Sequence, residues 1–317
     1  MSDENKREII SYCCGSYQYG DYGGVARYDY QLWKTFPNRK FFNNKDDLLS
    51  YLETCKNPIV LADNHWSVDV PNKYECIIVH HGCALNTYRR NPGLDSKFWI
   101  NLCNNQTQML YHRKPENTKI ISISKACTDD FSEIFKESYR KFERIDLLHS
   151  SELDEERFKS SSNEKPSILG NWSGVKKGKN YIGNIKQICK EFTFNNLYVT
   201  PVNGDIEDFN RRKQDIYLEN DIFLQLSNSE GNAYSTLDAL LCGLVVVATD
   251  VGLFHGDIPE DCFVKLDWKK MGDAEYVKEK LEYAYENRTE IASKGREWYM
   301  NNCRFSTWQD KMVKLIQ

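Results

Sequence analysis

Along the chain, short runs of apolar residues alternate with stretches in which apolar residues return every three or four positions. The runs REIISYCC, NPIVLAD, YECIIVHH, TKIISIS and ERIDLLH are rich in Ile and Val and bounded by polar residues, which predicts strands. Between them, Val25, Tyr28, Leu32, Trp33 and Phe36 follow GDYGG at helical spacing, and KDDLLSYLETC and SKFWINLCNNQTQMLYH carry the same period. The stretch from Ser150 to Ser167 is serine-rich and highly charged, and it places a linker at 156–166. The alternation then restarts with a strand at SILG, a helix over 179–191, strands at NLYVT and DIFLQL, and a helix carrying Tyr234, Leu237, Leu240 and Leu241. Gly243 stands where that helix would stop, the buried strand LVVVAT follows, and the rest of the chain is helical in pattern.

Strand and helix in alternation make an α/β protein with parallel sheets. The reading is two Rossmann-like, doubly wound domains, at 1–155 and 167–300, with a C-terminal helix at 301–317 that packs back on the first. Ligands of open α/β sheets bind at the carboxyl ends of the strands, so the active site is expected in the cleft where the two domains face each other. No repeat of fixed period interrupts the pattern.

A chain of 317 residues is long enough for two domains with a core each. Its net charge of −4 gives no basic surface for a phosphate backbone, so no nucleic-acid partner is expected. The longest apolar run, Ala239–Ala248, is about half of the ~20 residues a bilayer crossing needs, so no membrane span is expected. The polar start MSDENK lacks a signal-peptide core, and 11 cysteines, an odd number scattered along the chain, are the usage of a reducing compartment. A cytoplasmic protein is the expectation, and the sequons at Asn105, Asn171 and Asn287 then carry no meaning. The cluster CIIVHHGC has zinc-ligand residue types, but strand alternation sends Cys76 and His80 to one face and His81 to the other, so no metal is expected there.

Three loops carry candidate chemistry. GSYQYGDYGGVARY joins the first strand to the first helix through Gly15, Gly20, Gly23 and Gly24, and Gly23 and Gly24 bring backbone N–H groups close to a ligand at the helix start. GNWSGVKKGKN sets Lys176, Lys177 and Lys179 among glycines after a strand, which suits a diphosphate, although neither loop has dinucleotide or P-loop spacing. In SEGNAYSTLDALLCG, Glu230 and Gly231 precede a helix whose opening N–H groups, at Asn232, Ala233 and Tyr234, favour an anion. Glu230 and Asp238 lie about 12 Å apart in helix rise and could hold the two ends of one long ligand, such as a nucleotide-sugar. Taken singly, Glu230 is also explained as a first-turn acid and Asp238 as an exposed position.

Together these residues resemble the signature of glycosyltransferase family 4, retaining enzymes of GT-B fold. Glu230, the second acid at 238, Ala239 and Gly243 match the family's Glu-x7-Glu and Ala-x3-Gly pattern, followed by a valine strand. GDYGGVARY, His81-Gly82, SISKACTDDF, KKGKN and RFSTWQDKM occur in the family's order. Three positions depart from it: Asn171 follows Gly170 where the family has arginine, Asp238 replaces glutamate, and Ala233 replaces glycine.

The resemblance implies transfer of a sugar, with retention, from a nucleotide-diphosphate sugar to a glycan or other hydroxyl acceptor, with no cofactor and no metal. It implies that Glu230 contacts donor-sugar hydroxyls, Asp238 the ribose, His81 the donor sugar and Lys177 the diphosphate, with Lys176 and Lys179 nearby. Two other readings stay open: a GT-B scaffold that binds a nucleotide-sugar without catalysis, and a sugar-nucleotide epimerase.

Overall fold

The computed structural model describes residues 7–21, 23–91, 93–159, 163–199 and 205–316. The chain forms two compact units. The first gathers the described residues through Tyr88, Asp95–Leu148 and the stretch from Trp308, and the second gathers Arg89–Leu94 and His149–Thr307.

In the first unit, β1 (Glu8–Tyr12), β2 (Lys40–Phe42), β3 (Pro58–Asp63), β4 (Glu75–His80), β5 (Thr118–Ser122) and β6 (Glu143–Asp146) form one sheet in the order β2-β1-β3-β4-β5-β6. Every pairing in it is parallel. The intervening helices are α1 (Gly24–Thr35), α2 (Lys45–Leu52), α3 (Ala84–Arg90), α4 (Ser96–His112) and α5 (Lys125–Arg140). Ile10, Val60, Ile78 and Ile120 stack across the strands into one core with Leu48, Met109 and Phe131 from the helices. Those positions are the Ile and Val of the predicted runs, buried on both faces as a parallel sheet requires. The residues from Trp308 close this unit: Trp308 is buried with its ring edge-on to Tyr28 of α1, centroids 5.7 Å apart.

In the second unit, β7 (Ser167–Gly170), β8 (Thr193–Asn196), β9 (Ile222–Gln225), β10 (Val245–Thr249) and β11 (Val264–Leu266) take the order β11-β10-β9-β7-β8, again all parallel. The helices are α6 (Ile182–Ile188), α7 (Ile206–Leu218), α8 (Tyr234–Leu241), α9 (Ala274–Glu286), α10 (Arg288–Asn302) and α11 (Phe305–Ile316), the last of which runs on into the first unit. In both sheets the first strand lies beside both its successor and the third strand, so the connection reverses direction there. That places one switch point between β1 and β3 and another between β7 and β9, the positions at which open α/β sheets bind ligands.

Three local expectations are corrected. The strand set at NLYVT forms instead at Thr193–Asn196, because Phe192 and Phe194 pack on the core while Tyr198 is exposed. The helix drawn over 179–191 is confined to Ile182–Ile188. The polar stretch read as a linker is bonded into the second unit: Ser150 and Ser151 are fully buried, Lys159 N–H donates to Cys242 O at 2.8 Å, and Asn163 N–H donates to Asp221 Oδ1 at 3.0 Å. Ser150, Ser151 and Ser167 are hydrogen-bonded side chains rather than solvated spacer residues. Among the described residues, no helix is long and apolar enough to cross a membrane.

Candidate functional site

At the β7/β9 switch point two loops touch. After β7, Gly170 leads into a turn in which Asn171 Oδ1 accepts from Ser173 Oγ at 2.8 Å, so this asparagine closes its own loop. The lysines follow in a single 3₁₀ turn, Val175–Lys177, ended by Gly178. Gly178 has φ +82, and a Cβ there would come within 2.4 Å of Leu226 Cβ. Only glycine lets this loop seat against the end of β9. Asn228 N–H then donates to Lys176 O at 3.1 Å, which ties the lysine turn to the segment carrying Glu230. Among the described residues, Lys176, Lys177 and Lys179 form no ion pair, and Lys179 is exposed.

The Glu230 segment is held from three sides. Thr249 at the end of β10 exchanges hydrogen bonds with the Ser227 backbone, with Thr249 Oγ1 donating to Ser227 O at 2.6 Å. Ser227 Oγ donates to Glu230 Oε1 at 3.0 Å and so fixes the carboxylate. Behind Glu230 and Gly231 runs Gly252, with φ +59, where a Cβ would meet Gly231 O at 2.7 Å and Glu230 Cβ at 3.1 Å. The N-cap of α8 is Ala233, which offers no side-chain acceptor to the first-turn amides. Tyr234 opens the helix with its ring stacked on His149, centroids 4.7 Å apart and planes 9° apart. Glu230, Gly231, Asn232, Ala233 and Tyr234 therefore lie at the switch point with Lys176 and Lys177.

Asp238 is not there with them. It is 1 % exposed, Ser151 Oγ donates to its Oδ1 at 2.6 Å, and Lys213 Nζ lies 3.6 Å from its Oδ2. Lys213 also lies 3.7 Å from Glu152, whose side chain is fully buried. The position is neither an exposed helix face nor open to a ligand. With one methylene less than glutamate, it meets the residues that join the second unit after Leu148.

His81 belongs to the first unit. Asp63 ends β3 in register with Val79 of β4, so Asp63, Val79 and His81 share one face, and the His81 ring meets Asp63 with Nε2 2.7 Å from Oδ1. Tyr28 supports the same ring edge-on at 5.2 Å. Beyond His81, Gln106 of α4 accepts from Ala84 N–H with Oε1 and donates to Gly82 O with Nε2, both at 2.8 Å. His80 points the other way, into the core, with its ring centroid 3.5 Å from that of Phe131. Burial lowers its pKa to about 3, and the neighbouring His81 adds to the shift. Cys76 and Cys83 are buried thiols, held protonated by burial, and Cys83 is pushed up to about 12. Among the described residues, no three His, Cys, Asp or Glu side chains gather as a metal ion requires.

Gly23 caps α1 with φ +140 and Gly24 is its first residue, both exposed at the carboxyl end of β1. The loop before them is braced by Asp21, whose carboxylate accepts from Ser16 N–H at 3.1 Å. Helix α1 is pinned beneath by Asp29, which is bonded to Arg39 and accepts from Ser11 Oγ at 2.6 Å, all three buried. The sequence reading missed Asp63, Gln106, Ser227, His149, Ser151 and Lys213. Of these only Asp63 left a signal, as a polar residue ending a strand, where loops carry function.

No protein family's sequence profile matches the chain, and no curated protein does. Solved structures do match. Sucrose-phosphate synthase from Thermosynechococcus elongatus aligns with a TM-score of 0.76 at 11 % identity, over 98 % of each chain. HepE from Anabaena, solved in complex with UDP and glucose, aligns at 0.71 and 11 % identity, over 98 % of this chain and 99 % of its own. WaaG, a glycosyltransferase involved in lipopolysaccharide biosynthesis, aligns at 0.67 and 12 %, with the same coverage. This chain has the GT-B fold. The β7/β9 switch point lies in the second, C-terminal unit, where the lysine turn and the Glu230 segment meet.

Proposed function

We propose that this GT-B protein is a retaining glycosyltransferase that moves a sugar from a nucleotide-diphosphate sugar to a hydroxyl of a glycan or other acceptor. The observation that carries the reading is the union of the lysine turn and the Glu230 segment at one switch point, beside the start of α8. A diphosphate fits there because Lys176 and Lys177 supply charge, and the first-turn amides of α8, uncapped by a side chain, supply N–H donors. Glu230, oriented by Ser227, accepts hydrogen bonds from hydroxyls of the transferred sugar.

In the reaction the bond between the anomeric carbon and the phosphate oxygen breaks as the acceptor oxygen bonds to that carbon on the same face. The departing phosphate oxygen takes the acceptor proton. The residues bind and neutralise the leaving diphosphate, which becomes more anionic in the transition state, so fixed cations and dipoles act where charge develops. His81 contacts the donor sugar, Gly23 and Gly24 offer backbone to the ligand, and no metal is needed. Asp238 anchors α8 through Ser151 instead of reaching the ribose.

A thermal-shift screen with UDP-, GDP-, ADP- and dTDP-sugars tests the reading. A donor at 100 times its Kd stabilises by about 2.7 kcal/mol. If no nucleotide-sugar shifts the midpoint and none is consumed with a sugar acceptor, the proposal fails; a product of inverted anomeric configuration removes retention alone.

A further inference from the structure

The contacts around His81 go further than its expected role. Asp63 Oδ1 lies 2.7 Å from Nε2, and both side chains are largely buried, at 8 % and 12 % exposure. An ionised carboxylate can only accept, so Nε2 must carry a proton, and in the neutral ring Nδ1 is then the acceptor. The turn that aims the ring is fixed separately: Gln106, 1 % exposed, uses its amide oxygen on Ala84 N–H and its amide nitrogen on Gly82 O. Gly82 itself has φ +143, a conformation that a turn with a side chain would resist. The sheet register that pairs Asp63 with Val79 makes the first contact possible, and α4 makes the second.

We infer that Asp63 and Gln106 are positioning residues for His81. Asp63 holds the imidazole as its Nε2–H tautomer, which makes Nδ1 the acceptor of the neutral ring, and Gln106 locks the His81–Ala84 turn. This rests on the reading of His81 as a sugar contact for its purpose, but not for its geometry. A lone stabilising role is the competing explanation, and the two give different data.

The first arm needs no activity. Nitrogen NMR of the histidine-labelled full chain should show His81 with Nε2 protonated and Nδ1 bare, and Asp63→Asn should change that pattern while His80 keeps its own. A wild-type His81 with the proton on Nδ1, or one whose spectrum ignores Asp63→Asn, overturns the inference. The second arm is a double-mutant cycle on turnover with the donor found in the thermal screen. Asp63→Asn and Gln106→Leu should each lower kcat about 10- to 100-fold, the range found when the carboxylate behind a metal-bound histidine is lost. In a His81→Ala background the same changes should cost less than about threefold, because their route is gone. Losses that multiply in full overturn the inference, and Gln106→Glu, which keeps the acceptor for Ala84 N–H, should recover part of the loss of Gln106→Leu. If His81→Ala itself turns over as wild type, the functional reading of His81 fails, and the NMR arm still decides the tautomer.

Discussion

At the scale of single residues, two neighbours on one strand have opposite fates because a strand turns alternate side chains to opposite faces. His80 is sealed against Phe131 and its pKa falls to about 3, whereas an unfolded histidine titrates near ~6.5. The folded state then stays neutral where the unfolded state takes up a proton, so stability rises with pH between those values. This contribution is complete above about 6.5 and is lost as pH falls toward 3, with a slope of at most about 1.4 kcal/mol per pH unit. His80→Leu should flatten the acid limb of a denaturant-derived stability profile, and an unchanged limb would refute the burial argument. Glu230→Gln should keep the fold and the Ser227 contact while lowering turnover at least ~100-fold, because the charge proposed to meet the sugar is gone. Wild-type turnover of that variant would end the assignment. Both expectations were legible in the sequence, since alternation and a loop glutamate are local facts. Asp63 and Gln106 were not, because each acts through a contact between segments far apart in the chain.

Whole elements were legible where their apolar pattern was clear. β3, β4, β9 and β10 lie where their Ile and Val runs placed them, while β2 and β11, three residues each, leave no pattern to read. Helix α7 escaped notice because its buried face, Phe209, Lys213 and Tyr217, includes a lysine. That lysine stands between Glu152 and Asp238 and keeps two buried carboxylates from facing each other unpaired. Lys213→Met should therefore destabilise by about 3–5 kcal/mol, the cost of leaving buried charge without its partner. Ser151→Ala, which removes one neutral donor to Asp238, should cost about 1–3 kcal/mol. Urea titrations of both variants, compared with wild type, measure the difference, and equal small losses would mean the cluster is solvated in solution. The serine-rich stretch was misread for the same reason: composition reports polarity, but not whether the polar groups have partners.

For the whole molecule, the same sheet logic is used twice, and the candidate residues follow strand ends in each unit: the glycine loop after β1 and His81 after β4, the lysines after β7 and Glu230 after β9. The chain leaves the first unit after Leu148 and returns to it at Trp308. Trp308, Met312 and Ile316 are buried at helical spacing, and Trp308 packs on Tyr28, whose ring also supports His81. Trp308 thus stands one side chain away from a proposed sugar contact. Trp308→Ala should cost about 3–5 kcal/mol as a buried aromatic truncation. The loss should be local in origin, because the ring packs within the first unit and the second has its own core. Amide exchange should quicken in β1, β3 and β4 before it does in β9 and β10, and turnover should fall with it as Tyr28 loses its neighbour. Exchange that quickens equally in both sheets would show that the units unfold as one, and that the C-terminal helix does not serve the first unit alone.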